Sequence, residues 1–304
     1  MKILKKISIS MVFLSIFCMF VACSQIENID NDREKRNSLA QVLVPVASEE
    51  KVIVGNVVQI DISNVSQGYF MVKYNGDNKK IKMQVNKEGS PTYTYDLEKM
   101  SEFETFPISQ GNGTYSLTIN ENIQGNTYAI ADTMQFDVEL ESEILPFLYP
   151  NKYVKFDKST RAISIGEEIS KNAYSDLDVI KLVYDYAVGE IDYDYESVEN
   201  VTSFYIPNVD NVLESKKGLC FDYAALMTVM LRTQRIPTQL VIGYAGDEYH
   251  AWINVYTKET GWIYAAIEFN GTQWTRLDPT FADTSNQSTG YIDKETSYHA
   301  MFYY

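Results

Sequence analysis

The sequence predicts an α+β protein of two unlike halves behind an export signal, and three patterns carry that prediction. Residues 46–150 alternate apolar and polar side chains: Val58, Ile60 and Ile62 fall on one face, Gln59, Asp61 and Ser63 on the other. That is the two-residue period of a strand buried on one side. After Pro146 and Pro150 the period lengthens, and Leu177, Ile180, Val183, Tyr184 and Ala187 form a stripe along a helix. Beyond Lys217 a helical run gives way again to alternating segments, so residues 151–304 mix both kinds of element.

Composition sets the outer bounds. A chain of 304 residues with 45% apolar content is long enough for two domains with real cores. Its 41 acidic against 26 basic residues, a net charge of −15, argue against nucleic acid as a partner, because phosphates are held by clustered Lys and Arg.

The N-terminus reads as an address. Lys2, Lys5 and Lys6 precede an apolar run from Ile7 to Ala22, broken only by Ser8, Ser10 and Ser15. A basic start and about 15 apolar residues describe an export signal, whereas a membrane-spanning helix needs about 20. The run ends Phe20-Val21-Ala22-Cys23-Ser24, which resembles a bacterial lipobox with Phe20 in place of the usual Leu. Residues 1–22 are therefore expected to be a lipoprotein signal peptide, with Cys23 lipidated and holding the protein to the membrane outside the cytoplasm. Residues 23–45 are polar, of mixed charge and without a period, and are expected to be a lipidated tether. Loss of three Lys and no acids leaves 23 basic and 41 acidic residues, a mature net charge of −18 that anionic lipid repels.

Residues 46–150 hold roughly six to eight short strands and no helical stripe, which suggests an immunoglobulin-like β-sandwich. Asn75-Gly76 between YFMVKY and KIKMQV is a hairpin signal, and Gly125-Asn126 marks a further turn. The expected role of this half is spacer or docking module. In the second half, Ser175 and Asp178 resemble a capping box opening a helix near 176–188, with Gly189 closing it. The IDYDYESVEN stretch that follows reads as an exposed loop.

The segment KGLCFDYAALMTVMLRTQRIPTQLVIGY is the most informative. Gly218 permits a tight turn into a helix whose first turn holds Cys220, and Phe221, Ala224, Ala225, Thr228 and Leu231 give its buried stripe. Cys18 leaves with the signal and Cys23 carries lipid, so Cys220 is the one thiol of the mature chain; exported proteins that use Cys structurally use pairs. At a helix N-terminus the unpaired N–H groups and the dipole favour the thiolate, the form that attacks carbonyls. Simple packing is the bland alternative for such a Cys.

A Cys nucleophile needs a base, and only His250 and His299 exist. His250 starts the alternating segment HAWINVY, while His299 lies five residues from the end, where chains are less tightly held. Asp278, in TRLDPT, is expected to end a strand paired with IYAAIEF through an Asn270-Gly271 turn. An Asp there can accept the imidazole N–H and fix its tautomer. Read alone, Asp-Pro is only a turn signal.

GLC.DYA, then GY, HAW and LDPT, in that order, resemble the transglutaminase-like domain over residues 165–285. The resemblance implies a papain-like core in which the Cys-bearing helix packs on an antiparallel sheet carrying His and Asp. It also implies Cys220 as nucleophile, His250 as base and Asp278 as the orienting carboxylate. The reaction is then acyl transfer: a thioester forms on Cys220, and water or an amine resolves it. The Cys220 N–H is an expected oxyanion donor. Animal transglutaminases would place a Trp upstream of the Cys; here the first Trp is Trp252, and Tyr193, Tyr195 and Tyr205 are the candidates to replace it.

The expected function is therefore a lipid-anchored cysteine hydrolase, a peptidase or amidase acting on a peptide, protein or peptidoglycan peptide. An amine-transferring crosslinker and a non-catalytic surface scaffold are the alternatives. Tyr244, Tyr249 and Trp252 are candidate groove residues, with core packing an equal or better account of Trp252. No cofactor and no metal are expected: one Cys and two His are a thin supply for zinc, and no EF-hand pattern occurs, although scattered acids leave calcium open.

Overall fold

The structure, a computed structural model, describes residues 34–98, 102–200, 202, 205–269, 274–275 and 298–304. The expected signal peptide, Cys23, the first part of the tether, the Asn270-Gly271 turn and Asp278 lie outside the described residues. No helix among the described residues is long and apolar enough to cross a membrane.

The alternating half gives β1 (Val52–Val54), β2 (Val58–Asp61), β3 (Tyr69–Tyr74), β4 (Ile81–Lys87), β5 (Tyr93–Leu97), β6 (Glu104–Pro107), β7 (Gly113–Gln124) and β8 (Thr127–Val138). They form two four-stranded antiparallel sheets, ordered β1-β2-β3-β6 and β5-β4-β7-β8. Alternate residues point inward: Val58 and Ile60, Ile81, Met83 and Val85, and Tyr115, Leu117 and Ile119 are all buried. Rings meet across the two sheets, Phe70 with Phe136 at 5.5 Å and Tyr95 with Phe106 at 4.9 Å. Gly125-Asn126 joins β7 to β8 as a two-residue turn, with Gly125 at φ 56°.

Asn75-Gly76 does not make the expected hairpin. β3 pairs with β2 and β6, whereas β4 pairs with β5 and β7, so residues 75–80 cross from one sheet to the other. Tyr74 turns its hydroxyl back over this connection, accepting from the Asn78 N–H at 3.0 Å and donating to Glu121. A Cβ on Gly76 would lie 2.2 Å from that hydroxyl, so the glycine is there to admit the phenol of Tyr74.

The second half contains α1 (Arg161–Ile169), α2 (Asp176–Glu190), β9 (Asp192–Tyr193), α3 (Val209–Ser215), β10 (Lys217–Gly218), α4 (Cys220–Thr233), β11 (Thr238–Ala245), β12 (Glu248–Thr257), β13 (Gly261–Phe269), β14 (Trp274–Thr275) and β15 (Tyr298–Tyr303). The capping box of α2 is present in both directions: Asp178 N–H donates to Ser175 Oγ (3.1 Å) and Ser175 N–H to Asp178 Oδ2 (2.9 Å). Gly189 is not the stop; α2 runs to Glu190, and Ile191 follows with an extended backbone that needs no glycine. Helix α4 carries more than a stripe, since every residue from Asp222 to Thr233 is buried. It lies between α1, α2 and α3 on one side and β11 and β12 on the other. The sheet is antiparallel throughout, in the order β14-β13-β12-β11-β15.

The chain end, expected to be loosely held, is instead a wedge. β15 pairs with β11, and Gly243 marks the closest approach: a Cβ there would stand 2.1 Å from the His299 carbonyl oxygen. Tyr304 is buried, its ring 4.5 Å from Tyr153 and 5.6 Å from Tyr93, a residue of the first half. Its backbone exchanges bonds of 2.8 and 2.9 Å with Leu240. Arg232, fully buried on α4, donates to Thr238 O (3.0 and 2.8 Å), Tyr304 O (2.7 Å) and Tyr149 O. Burial lowers its pKa to about 9, so it is still cationic at neutral pH. A buried ion pair, Lys152 Nζ to Glu104 Oε1 at 2.8 Å, adds to the joint between the halves.

The later part of the expected tether is also bonded to the fold. Arg36 N–H donates to Ala173 O and Gln41 N–H to Thr233 O, both at 2.8 Å, and the Arg36 guanidinium meets Asp176 at 2.6 Å. Gln234 and Arg235 return bonds to Ser38 O and Leu39 O. The polar, mixed-charge composition that reads as a tether also suits a strap, because Arg36 and the backbone of residues 36–41 find partners at the C-terminal end of α4.

Replacing Arg232 by Met should take a buried, charged donor from each of the Tyr149, Thr238 and Tyr304 carbonyls and lower stability by about 3–5 kcal/mol. Urea unfolding followed by tryptophan fluorescence would read this, and a loss below about 1 kcal/mol would contradict the role given to Arg232.

Candidate active site

The approach to Cys220 is fixed before the helix begins. Lys216 closes α3 in the left-handed conformation, φ 58°, and turns the chain into β10. β10 pairs in parallel with β9, Gly218 opposite Tyr193, and Asp194 N–H donates to Gly218 O at 3.0 Å. The IDYDYESVEN stretch is thus partly a strand, and it runs alongside the lead-in to Cys220. Leu219, the residue before the helix, has no side-chain acceptor with which to cap it. Asp222 supplies the carboxylate instead: its Oδ2 accepts from Leu219 N–H at 2.8 Å and its Oδ1 from Tyr205 OH at 2.6 Å.

Cys220 is partly buried at the first position of α4. Its sulfur is in reach of the backbone N–H groups of Ala251, Phe221 and Cys220 itself. The helix that carries the thiol packs against β12, the strand of His250 and Ala251. His250 is buried on β12, opposite Gly243 of β11. β14 pairs with the end of β13, Thr275 opposite Glu268 and Trp274 opposite Phe269, and Asp278 lies outside the described residues. His299 stands on β15 opposite Tyr244 and is exposed.

The electrostatics differ from the expectation drawn from the helix dipole. Burial pushes the Cys220 thiol up, and the Asp222 carboxylate adds to the rise; the three N–H groups pull the other way and do not overcome it. Burial raises the Asp222 carboxyl too. The Tyr193 phenol is pushed up to about 12, first by burial and then by the charge of Cys220, and so stays a neutral donor at physiological pH.

The aromatic candidates separate. Tyr244 and Tyr249 face each other across β11 and β12 at 5.5 Å and are 40% and 62% exposed. Trp252 is 2% exposed and packs edge-on against Tyr298 at 5.4 Å, so it belongs to the core of the sheet. Tyr193 stacks edge-on with Tyr195 at 4.9 Å. Sequence reasoning missed Asp222, although an acid at the third position of a helix whose cap residue is apolar was a readable signal. Among the described residues, no three His, Cys, Asp or Glu side chains gather as a metal site.

A buried helix that presents cysteine to a strand bearing histidine is a papain-like, thiol-bearing architecture of the transglutaminase type. Residues 163–267 match the family model of the transglutaminase-like superfamily, and this chain therefore carries a transglutaminase-like domain. The uncharacterized protein YebA of Bacillus subtilis (strain 168) is 27% identical over 177 residues, covering 50% of this chain and 22% of that protein. A protein-glutamine gamma-glutamyltransferase of Pseudomonas aeruginosa is 31% identical over 68 residues, 18% of this chain and 10% of that protein. The chain thus spans 22% and 10% of the lengths of these curated relatives. Among solved structures, a candidate cysteine protease from Cytophaga hutchinsonii aligns with a TM-score of 0.34 and 16% identity, over 67% of this chain and 79% of that one. Red sea bream transglutaminase aligns with a TM-score of 0.30 and 12% identity, over 84% and 58%.

A thiol raised by burial ionises late. Alkylation of Cys220 by iodoacetamide in the folded protein should therefore be slow at pH 7 and climb through the alkaline range, with a midpoint above the free value of about 8.5. A rate already level at pH 7 would mean that the thiolate is preformed.

Proposed function

We propose that this chain is an exported, lipid-anchored protein of the cell envelope that hydrolyses an amide through a thioester on Cys220. The observation that carries the reading is the free thiol at the start of α4, a helix packed against β12, the strand that carries His250. In the proposed reaction the Cys220 sulfur bonds to the substrate carbonyl carbon while its proton passes to His250. The tetrahedral intermediate collapses, the C–N bond breaks, and His250 returns that proton to the departing amine. Water, deprotonated by His250, then cleaves the thioester, releases the acid and restores the thiol. Asp278 is assigned to orient His250. The raised thiol makes His250 a base acting during attack rather than the partner of a standing ion pair.

The oxyanion donors in this reading are the Cys220 N–H and the Tyr193 hydroxyl. Of the three candidate tyrosines, Tyr205 is committed to Asp222 and Tyr195 is 61% exposed, whereas the Tyr193 phenol feels the charge of Cys220. Hydrolysis is placed ahead of amine transfer because the aromatics flanking the site, Tyr244 and Tyr249, stand open to water. The substrate is assigned to the peptides of the envelope, free or crosslinked in its wall.

The first half is read as an immunoglobulin-like module, which the order β1-β2-β3-β6 facing β5-β4-β7-β8 supports. Its ring contacts with Tyr304 and Tyr153 and the Glu104–Lys152 ion pair make it a fixed spacer rather than a swinging one. The lipid is assigned to Cys23, and the first bonded residue among the described ones is Lys35, which donates to Asn172 at 2.7 Å. The eleven residues between them reach about 40 Å at most.

p-Nitrophenyl acetate should give one burst of p-nitrophenolate per chain, absent in Cys220→Ala. His250→Ala should slow the burst by about 10²–10⁴-fold and Tyr193→Phe by on the order of 10²-fold. With added primary amine, mass spectrometry of the acyl product should still find mainly free acid. An amide as the main product would transfer the reading to amine transfer, and a wild type without a burst would remove acyl chemistry altogether.

A further inference from the structure

Asp222 is 2% exposed, two residues after the nucleophile, and its carboxylate raises the Cys220 thiol. A charge placed there opposes the ionisation that a thiol nucleophile requires, so another property must account for the residue. Both carboxylate oxygens are engaged: one accepts from Leu219 N–H at 2.8 Å, the other from Tyr205 OH at 2.6 Å. The side chain also folds back over Gly218, where an added Cβ would lie 2.9 Å from the Asp222 Cβ. Gly218, Leu219, Cys220 and Asp222 therefore form one mechanical unit, in which a glycine admits the carboxylate and the carboxylate clamps the peptide carrying the nucleophile. Tyr205 ties that unit to the segment before α3, and its ring rests 6.4 Å from Phe221.

We infer that Asp222 is the positioning residue of this site, aiming the Cys220 thiol through its bonds to Leu219 and Tyr205. The inference rests on the acyl-transfer reading of Cys220. It separates two properties of the nucleophile that usually move together, its ionisation and its aim. Loss of the carboxylate should make the thiol easier to ionise and worse placed to attack. An isosteric amide keeps an acceptor for Leu219 N–H and a polar partner for Tyr205, so it should ease ionisation while preserving the aim.

The test compares Asp222→Ala, Asp222→Asn and Tyr205→Phe in the full chain. Iodoacetamide alkylation against pH reads ionisation, and the p-nitrophenyl acetate burst, taken where alkylation is level, reads aim. For Asp222→Ala the alkylation profile should move to lower pH while the burst falls about tenfold or more. Asp222→Asn should show the same shift and keep its burst within about threefold of wild type. Tyr205 is partly exposed, so Tyr205→Phe should fold normally and lose several-fold in burst rate. A full burst in Asp222→Ala, or an alkylation profile that stays put, overturns the inference; if that variant does not fold, a full burst in Tyr205→Phe does so. A wild type that alkylates without a burst defeats the acyl-transfer reading instead. Asp222 is then judged by hydrogen exchange of the Leu219 amide, which Asp222→Asn should leave slow and Asp222→Ala should speed by about tenfold or more.

Discussion

The guanidinium of Arg232 is the constraint on which the remaining structure hangs. It is buried at the C-terminal end of α4 and gives its donors to backbone carbonyls of three separate segments, at Tyr149, Thr238 and Tyr304. These are the linker from the first half, the start of β11 and the residue that follows β15. A buried charge is tolerable only when its donors are satisfied, so the three segments are held wherever Arg232 holds them. The register of β11 against β15, the seat of Tyr304 among Tyr93, Tyr95 and Tyr153, and the docking of the first half all follow from that point.

The opposite end of the same helix carries Cys220, and there the forces compete. The helix N-terminus and three nearby N–H groups favour negative charge on Cys220, while burial and the Asp222 carboxylate oppose it. The balance leaves a protonated thiol on a helix that packs against the strand carrying His250. For an unpaired thiol this has a second consequence, since the thiolate is the form that oxidants attack. A nucleophile that ionises as it reacts is better protected at rest than one held permanently as an ion. The strap from Lys35 to Gln41 crosses the Arg232 end of α4 rather than the Cys220 end.

The sequence by itself determined whatever depends on near neighbours. Alternation at Val58, Ile60, Tyr115, Leu117 and Ile119 reported which side chains point inward, because a strand has only two faces. Ser175 and Asp178 announced the start of α2, since a capping box needs only four residues to close. The spacing around Cys220 and His250 gave a helix start and a strand, and the family match agrees with that reading. Tertiary structure decided what depends on partners far away in the chain. Asn75-Gly76 has the chemistry of a hairpin, yet its flanking strands join different sheets, because pairing is chosen by β2, β6, β5 and β7. The acceptors of Arg232, the burial of Tyr304 and the strap at Arg36 likewise join residues between six and 198 positions apart. Even the thiol of Cys220 obeys this division: the local dipole argues for ionisation, and the burial imposed by the surrounding fold reverses it, because desolvation is a property of everything packed around a group and not of its sequence neighbours.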